Sequence, residues 1–305
     1  MRFNKSLIFM LIILFVFIAG RESFAGAWTQ KKKGYFFKIS WNYLLTSREY
    51  NFKGEIIPLF RDLEVYQDAE FEDINLTIYL EYGLRERLTL IANLPIKQTT
   101  SRRIEESLYF GAREFSRTTR GFSDLTLGLR TQLINLPVAF SIQGDVKIPL
   151  GYDTTPDNDG PTLGTGEVDF DGWLLIGKSL YPLPVYTTGG IGYRTRGGRF
   201  HDEILYNLEV GINPGNWLFK VTFDGIRNTT TPPDLYGRTL ILPLPGGGGV
   251  TPEVQFGDQN IYKLIPGIIY QFKKGWAVQA EVIHVLGGVN TIAGTTFSLG
   301  LVLLK

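Results

Sequence analysis

Three carboxylates alternate with apolar residues in the stretch Glu167-Val168-Asp169-Phe170-Asp171. Such a row could ligate a divalent cation, supply an acid–base pair, or form the wet face of a β-strand. Alternate side chains of a strand share one face. Each two-residue step advances about 6.5–7 Å, so one ion cannot gather all three carboxylates without ligands from other strands. Hydrolytic chemistry needs a histidine beside a nucleophile, held by an orienting partner. The chain has only His201 and His284. His201 lies in the charged run R-G-G-R-F-H-D-E with no assigned serine beside it, and His284 shares the parity of Val278, Ala280 and Val282. No enzyme activity, catalytic residue, metal site or cofactor is expected. The wet-face reading then depends on what surrounds the strand.

Strand alternation runs through almost the whole chain. Ile74, Leu76, Ile78, Leu80 and Tyr82 oppose Asp73, Asn75, Thr77, Tyr79 and Glu81. Trp217, Phe219, Val221 and Phe223 oppose Lys220, Thr222 and Asp224. Twelve such segments can be drawn, at about 34–46, 68–83, 86–98, 121–134, 137–150, 166–180, 184–196, 202–212, 216–228, 257–272, 275–287 and 292–304. Most exceed the ordinary globular strand of about 5–6 residues and suffice to cross a bilayer at a tilt. Tight turns fall at Leu84-Arg85, Asn135-Leu136, Tyr181-Pro182-Leu183, Pro214-Gly215 and Lys273-Lys274. Long loops at 47–67, 99–120, 151–165 and 229–256 alternate with them, and shorter ones fall near 197–201 and 288–291. Residues 56–67 are a candidate short helical turn.

The expected fold is therefore all-β: a transmembrane antiparallel β-barrel of twelve strands, with both termini at the short-turn rim. Short turns on one rim and long loops on the other are the outer-membrane pattern. Closure removes the sheet edges that lipid does not tolerate. A soluble β-sandwich also alternates, but its strands are shorter.

The N-terminus has a different character. Arg2 and Lys5 precede an apolar run, and Ser23-Phe24-Ala25 offers small residues before Gly26. That is the layout of a secretory signal peptide over 1–25, leaving 26–305 as a single barrel domain. The whole chain carries 31 Lys and Arg against 30 Asp and Glu. Loss of Arg2, Lys5, Arg21 and Glu22 tips the balance one charge to the acidic side, which excludes a basic nucleic-acid surface. With no cysteine, neither disulfides nor thiol chemistry is available. The expected surroundings are the lipid and lipopolysaccharide of a Gram-negative-type outer membrane, with periplasmic termini and extracellular long loops. A small-molecule solute is the suspected cargo.

Assigning the polar parity to the interior gives the expected lumen wall: Asp124, Arg130, Asp145, Lys147, Glu167, Asp169, Asp171, Arg194, Arg196, Glu209, Lys220 and Asp224. Lys38, Glu81, Glu203, Lys263 and Glu281 share that parity. Nearly balanced signs argue against a one-charge selectivity ring. They fit a polar, weakly selective channel or a narrow interior cross-linked by ion pairs. Gly128, Gly190, Gly192, Gly211 and Gly300 also share lumen parity, either to relieve crowding or to bend strands. Trp28, Trp41, Trp173, Trp217 and Trp276 are expected in interfacial girdles.

The stretches G-F-S-D-L-T-L-G-L-R (121–130), G-D-V-K-I-P-L-G (144–151) and L-G-T-G-E-V-D-F (163–170) resemble the transporter-like outer-membrane family linked to phenol meta-cleavage pathways. Asp124, Lys147, Pro149, Gly151, Gly164, Gly166 and Asp169 occupy the matching positions. The ending L-G-L-V-L-L-K departs from the terminal aromatic common among outer-membrane barrels. The resemblance implies a barrel that passes small, aromatic or hydrophobic compounds. The alternative is a closed structural barrel that presents loops to another envelope component.

Overall fold

A computed structural model describes residues 26–59, 66–107, 111–135, 137–156, 160–231 and 258–305. The expected signal peptide and nearly all of the 229–256 loop lie outside them. The strands are β1 (Tyr35–Thr46), β2 (Arg48–Tyr50), β3 (Ile56–Pro58), β4 (Tyr66–Arg85), β5 (Leu88–Ser107), β6 (Gly111–Phe122), β7 (Asp124–Ile134) and β8 (Ala139–Pro149). They continue with β9 (Asp169–Ser179), β10 (Val185–Thr195), β11 (Glu203–Ile212), β12 (Trp217–Asn228), β13 (Asn260–Lys273), β14 (Trp276–Val289), β15 (Thr291–Ala293) and β16 (Thr295–Leu304).

Twelve of these form a closed antiparallel barrel. β5, β7 to β14, β16, β1 and β4 pair in that order, and the β4–β5 ladder completes the ring. The last strand lies against the first, with Phe37 opposite Leu303 and Tyr43 opposite Phe297. Each barrel strand is paired on both sides, so the ring has no open sheet edge, as lipid requires. Its outer surface is apolar: Phe170 is 59% exposed, Leu174 53% and Leu299 59%. Contiguous exposure on that scale marks a surface that meets something apolar. Trp41, Trp217 and Trp276 face outward, and the Trp217 ring lies 4.3 Å from that of Tyr270 beside the short-turn rim.

The long-loop rim departs from expectation. Residues 99–120, read as loop, mostly continue as strand: β5 runs on to Ser107 and pairs with β6, from Ile96–Phe122 to Ser107–Gly111. β4, β5 and β6 thus rise above the ring as a three-stranded extension. Its polar alternation, R-E-F-S-R-T-T-R, lacks the apolar face by which the barrel strands are recognised. β2, β3 and β15 form a second small sheet. Ile56–Pro58 is therefore strand where a helical turn was expected, and 60–65 lie outside the described residues.

Candidate functional site

The interior is the candidate site, and the chain's own N-terminal segment occupies one end of it. Residues 26–33 have no strand alternation, so nothing commits them to the wall. They enter the barrel instead. Ser141 Oγ donates to the Ala27 carbonyl at 2.5 Å, Arg130 Nη1 to the Trp28 carbonyl at 3.0 Å, and the Gln30 amide N–H to Thr89 Oγ1 at 2.8 Å. Gln30 Nε2 donates to Glu81 at 2.8 Å. All four wall residues have inward parity. Two glycines make room: a Cβ at Gly177 would meet the Trp28 ring at 2.7 Å, and one at Gly83 would strike the Lys31 carbonyl. Lys33 then bonds Gly83 at the short-turn rim.

Around this segment the lumen is apolar. Phe36, Tyr186, Leu218, Ile269, Ala277 and Val302 form one buried cluster, with Trp28 and Tyr79 packed on it. Ala27, Ala139 and Leu175 form a second, joined by Trp28 and Trp173. Trp28 meets Tyr186 edge-on at 6.3 Å. Trp28 and Trp173 therefore point inward and do not belong to a membrane girdle. The parity of β9 continues unbroken from Asp169 through Trp173 to Leu175.

Ion pairs run along the lumen wall farther up, between adjacent or next-but-one strands. Lys220 Nζ lies 3.0 Å from Glu281 and 3.3 Å from Glu209, and Lys38 lies 3.6 Å from Glu281. Tyr186 and Thr222 hydroxyls both donate to Glu209 at 2.7 Å. On the opposite wall Arg130 sits 3.2 Å from Glu81, which also accepts from Tyr79 at 2.7 Å. Arg130 Nε continues to Gln143 at 2.8 Å, and Gln143 donates to Asp145 at 2.8 Å. A Cβ at Gly128 would strike Asp145, and one at Gly192 would meet the Trp173 ring at 2.7 Å. These glycines relieve crowding.

The acidic stretch lies nearer the long-loop rim. Arg194 grips Asp171 with two parallel bonds of 2.7 and 2.8 Å and reaches Glu203 at 3.0 Å. Arg196 lies 3.1 Å from Glu203 and 3.7 Å from Asp169. Lys147 lies 2.5 Å from Asp169 and 3.7 Å from Asp124. Asp169 is fully buried, while Val168 and Phe170 are exposed on the outer face. Two expected wall positions lie just outside the strands. Glu167 precedes β9 and its side chain lies over Gly197 and Gly198, because the strand starts only after the turn at Gly166 (φ 74°). Arg196 follows β10 and reaches inward from a turn. Asp224 forms a partly exposed pair with Lys263 at 3.4 Å.

The motif residues converge at this rim. Asp124 and Asp169 flank Lys147, and the Tyr152 hydroxyl donates to Asp124 while accepting the Gly166 N–H at 2.8 Å. A Cβ on Gly164 would fall 2.8 Å from Asp124 Oδ2. Burial pushes the Tyr152 phenol above its ordinary pKa, and the Asp124 carboxylate pushes it further. In the neighbouring loop, the Arg196 backbone N–H and the Tyr193 hydroxyl hold Asp202 below the usual carboxylate range. Tyr152 lies in a loop with no periodicity, so alternation does not place its hydroxyl between Asp124 and Gly166.

His201 pairs with Asp258 at 2.7 Å, and His284 meets Thr295 at 2.8 Å on the exposed outer face. Among the described residues no group of three His, Cys, Asp or Glu is placed to hold a metal ion.

No protein-family model matches this chain, and no curated protein matches it in sequence. A solved outer membrane channel from Pseudomonas putida F1 does match in shape, with a TM-score of 0.62 at 12% identity, over 93% of this chain and 100% of that one. The fold is that of an outer-membrane barrel. The Ralstonia pickettii toluene transporter TbuX (TM-score 0.42, 9% identity, 89% of this chain and 88% of that one) is more distant. So is the Pseudomonas putida toluene transporter TodX (0.40, 10%, 89% and 88%). Neither of those two likenesses is near enough to bear on function.

Proposed function

We propose that this barrel passes small hydrophobic or aromatic solutes across the outer membrane. The carrying observation is the aromatic and aliphatic lumen built by Phe36, Tyr79, Tyr186, Leu218 and Ile269 inside a closed transmembrane ring. An ion-filled pore has no use for such a lining, whereas an apolar solute is stabilised by roughly 25 cal/mol per Å² of surface it removes from water. The shape likeness to an outer membrane channel supports the reading. The resemblance to the phenol meta-cleavage-linked family rests on the motifs of 121–170 alone. In this reading residues 1–25 are a cleaved signal peptide, the termini are periplasmic and the long loops extracellular. Asp124, Arg130, Asp145, Lys147, Asp169, Asp171, Arg194, Arg196, Glu209, Lys220 and Asp224 line or brace the path, and Glu167 guards its mouth.

One observation favours a second reading. Residues 27–30 are bonded to inward-facing wall residues inside one end of the barrel, as in a closed structural barrel that presents its loops. Planar-bilayer conductance and liposome uptake of toluene by the folded protein separate the two. Toluene uptake with little ion conductance is the expected result. Absence of both, in protein shown to be folded, would leave only the structural reading. Asp171→Asn and Lys147→Gln should shift whatever ion preference exists; no shift would remove both residues from the conducting path.

A further inference from the structure

The charges of the chain nearly balance, 31 basic against 30 acidic, yet those of the short-turn rim do not. Lys31, Lys32 and Lys33 are exposed there, where the N-terminal segment leaves the lumen. Arg85 and Arg87 are exposed in the β4–β5 turn, with Glu86 between them. Lys273 and Lys274 are exposed in the β13–β14 turn, and exposed Lys305 follows β16. Backbone bonds draw these positions into one arc. Lys33 N–H donates to the Gly83 carbonyl at 2.8 Å, Lys305 N–H to that of Tyr35 at 3.0 Å, and Leu304 N–H to that of Gly275 at 3.0 Å. Glu86 is the one acidic side chain among the described residues of the arc. A surface of one sign draws ligands of the other.

An acidic soluble protein and the anionic headgroups of the leaflet both have that sign. The outer wall beside the arc favours the headgroups. An apolar groove of about 880 Å³ runs along the lipid-facing side of β12, β13, β14 and β16. Its floor is low where Ala280 stands between Ile268 and Leu299, with Phe219 and Phe297 on the flanks. Benzene needs about 150 Å³, so there is room for a long acyl chain. Two residues nearer the rim stand Trp217 and Tyr270, and beyond them the lysine turn that joins β13 to β14. A lysine in such a place lays its methylenes on apolar surface and sends its ammonium to the polar layer. A soluble protein has no use for a groove that lies in lipid, whereas an acyl chain fills it.

We propose that this part of the outer wall is a docking site for an anionic phospholipid, with one acyl chain in the groove and the headgroup phosphate held by Lys273 and Lys274. The site lies outside the lumen and does not depend on the passage reading. It needs only that the barrel stand in a bilayer.

The test uses the full folded barrel in phosphatidylcholine vesicles. These contain a small fraction of phosphatidylglycerol with brominated chains, or the same fraction of brominated phosphatidylcholine as the neutral control. Trp217 and Trp276, exposed on the outer face near the groove, report a brominated chain by loss of fluorescence. The anionic lipid should associate about fivefold more strongly than the neutral one, the worth of one lysine beside a negative lipid surface. Lys273→Gln combined with Lys274→Gln should remove most of that preference. Ala280→Phe, which raises the groove floor, should weaken quenching by the anionic lipid, because the chain loses its seat. Lys53→Gln, at the long-loop rim, should change nothing. Circular dichroism of the sheet shows that each variant is folded. Equal quenching by the two lipids in the native barrel would overturn the site and leave the basic arc to an acidic soluble protein. A preference that survives the paired lysine substitution, or that Lys53→Gln removes as fully, would overturn it too, since neither depends on this site.

Discussion

Toward the short-turn rim, the lumen is closed by rings and methyls: Trp28, Phe36, Tyr186, Leu218 and Val302, packed around a segment that is not part of the wall. Toward the long-loop rim, it is braced by charges: Lys147 against Asp169, and Arg194 and Arg196 against Glu203 and Asp171. The first closure is non-directional and is held to the wall by a few hydrogen bonds through Ala27, Trp28 and Gln30. The second is directional and joins β8, β9, β10 and β11 by paired side chains. Apolar contact can be exchanged for contact with an apolar solute at little net cost. A buried salt bridge cannot, because removing one partner strands the other. The floor is thus the half suited to yielding, and the upper wall the half suited to staying still.

This contrast can be broken directly. The largest effect is expected from deleting residues 26–30, which removes Ala27 and Trp28 from the floor. The shortened barrel should show steady ion conductance in planar bilayers where the intact barrel is near silent. A silent deletion variant would mean that the upper ion pairs alone close the lumen. Next in size, Arg194→Ala leaves Asp171 and Glu203 without their shared partner. It should destabilise the folded barrel by about 3–5 kcal/mol, seen as a lower unfolding midpoint in denaturant. Lys263→Gln breaks a half-exposed pair with Asp224 and should cost no more than about 1 kcal/mol, so equal losses would dissolve the distinction between braced and exposed pairs.

Between these two in size, Gly192→Ala presses a methyl against the Trp173 ring and should cost about 1–3 kcal/mol, read from the same denaturation. Tyr152→Phe removes the hydroxyl that donates to Asp124 and accepts from Gly166 at the mouth, a loss of about 1–2 kcal/mol. Its pH dependence is the sharper readout. The phenol is raised in the folded state, so the contribution of Tyr152 should be fully present below its unfolded pKa of about 10. It should vanish as pH climbs through the higher folded value. Native and variant stabilities should therefore converge only in strong alkali; convergence already near pH 9 would contradict the Tyr152–Asp124 bond.

Much of the architecture was legible from alternation. The expected segment 137–150 became Ala139–Pro149 and 216–228 became Trp217–Asn228, because a half-buried strand in lipid must alternate at every step. The carboxylate row divided correctly at Val168 and Phe170 for the same reason. Alternation failed where both faces of a strand meet water, as in Gly111–Phe122, and where a turn shifted the start of a strand, as at Glu167. It was silent on residues 26–33, which are neither strand nor periodic. Trp28 was misassigned because tryptophan is common both at membrane interfaces and in packed floors, and composition cannot choose between them.

The sequence by itself determined the barrel: which residues alternate, how many strands that makes, and which parity is polar. Those are local properties, set by the two-residue period of a strand and by the demand that every backbone group in lipid be bonded. Only the tertiary structure decided what the polar parity does. Whether Asp169 meets Lys147, whether Arg194 spans Asp171 and Glu203, and whether Lys220 bridges Glu209 and Glu281 depend on register and curvature around the ring. So does the space that admits Ala27 and Trp28 beside Gly177. These are distances between strands far apart in sequence, and one chain's alternation holds no measure of them.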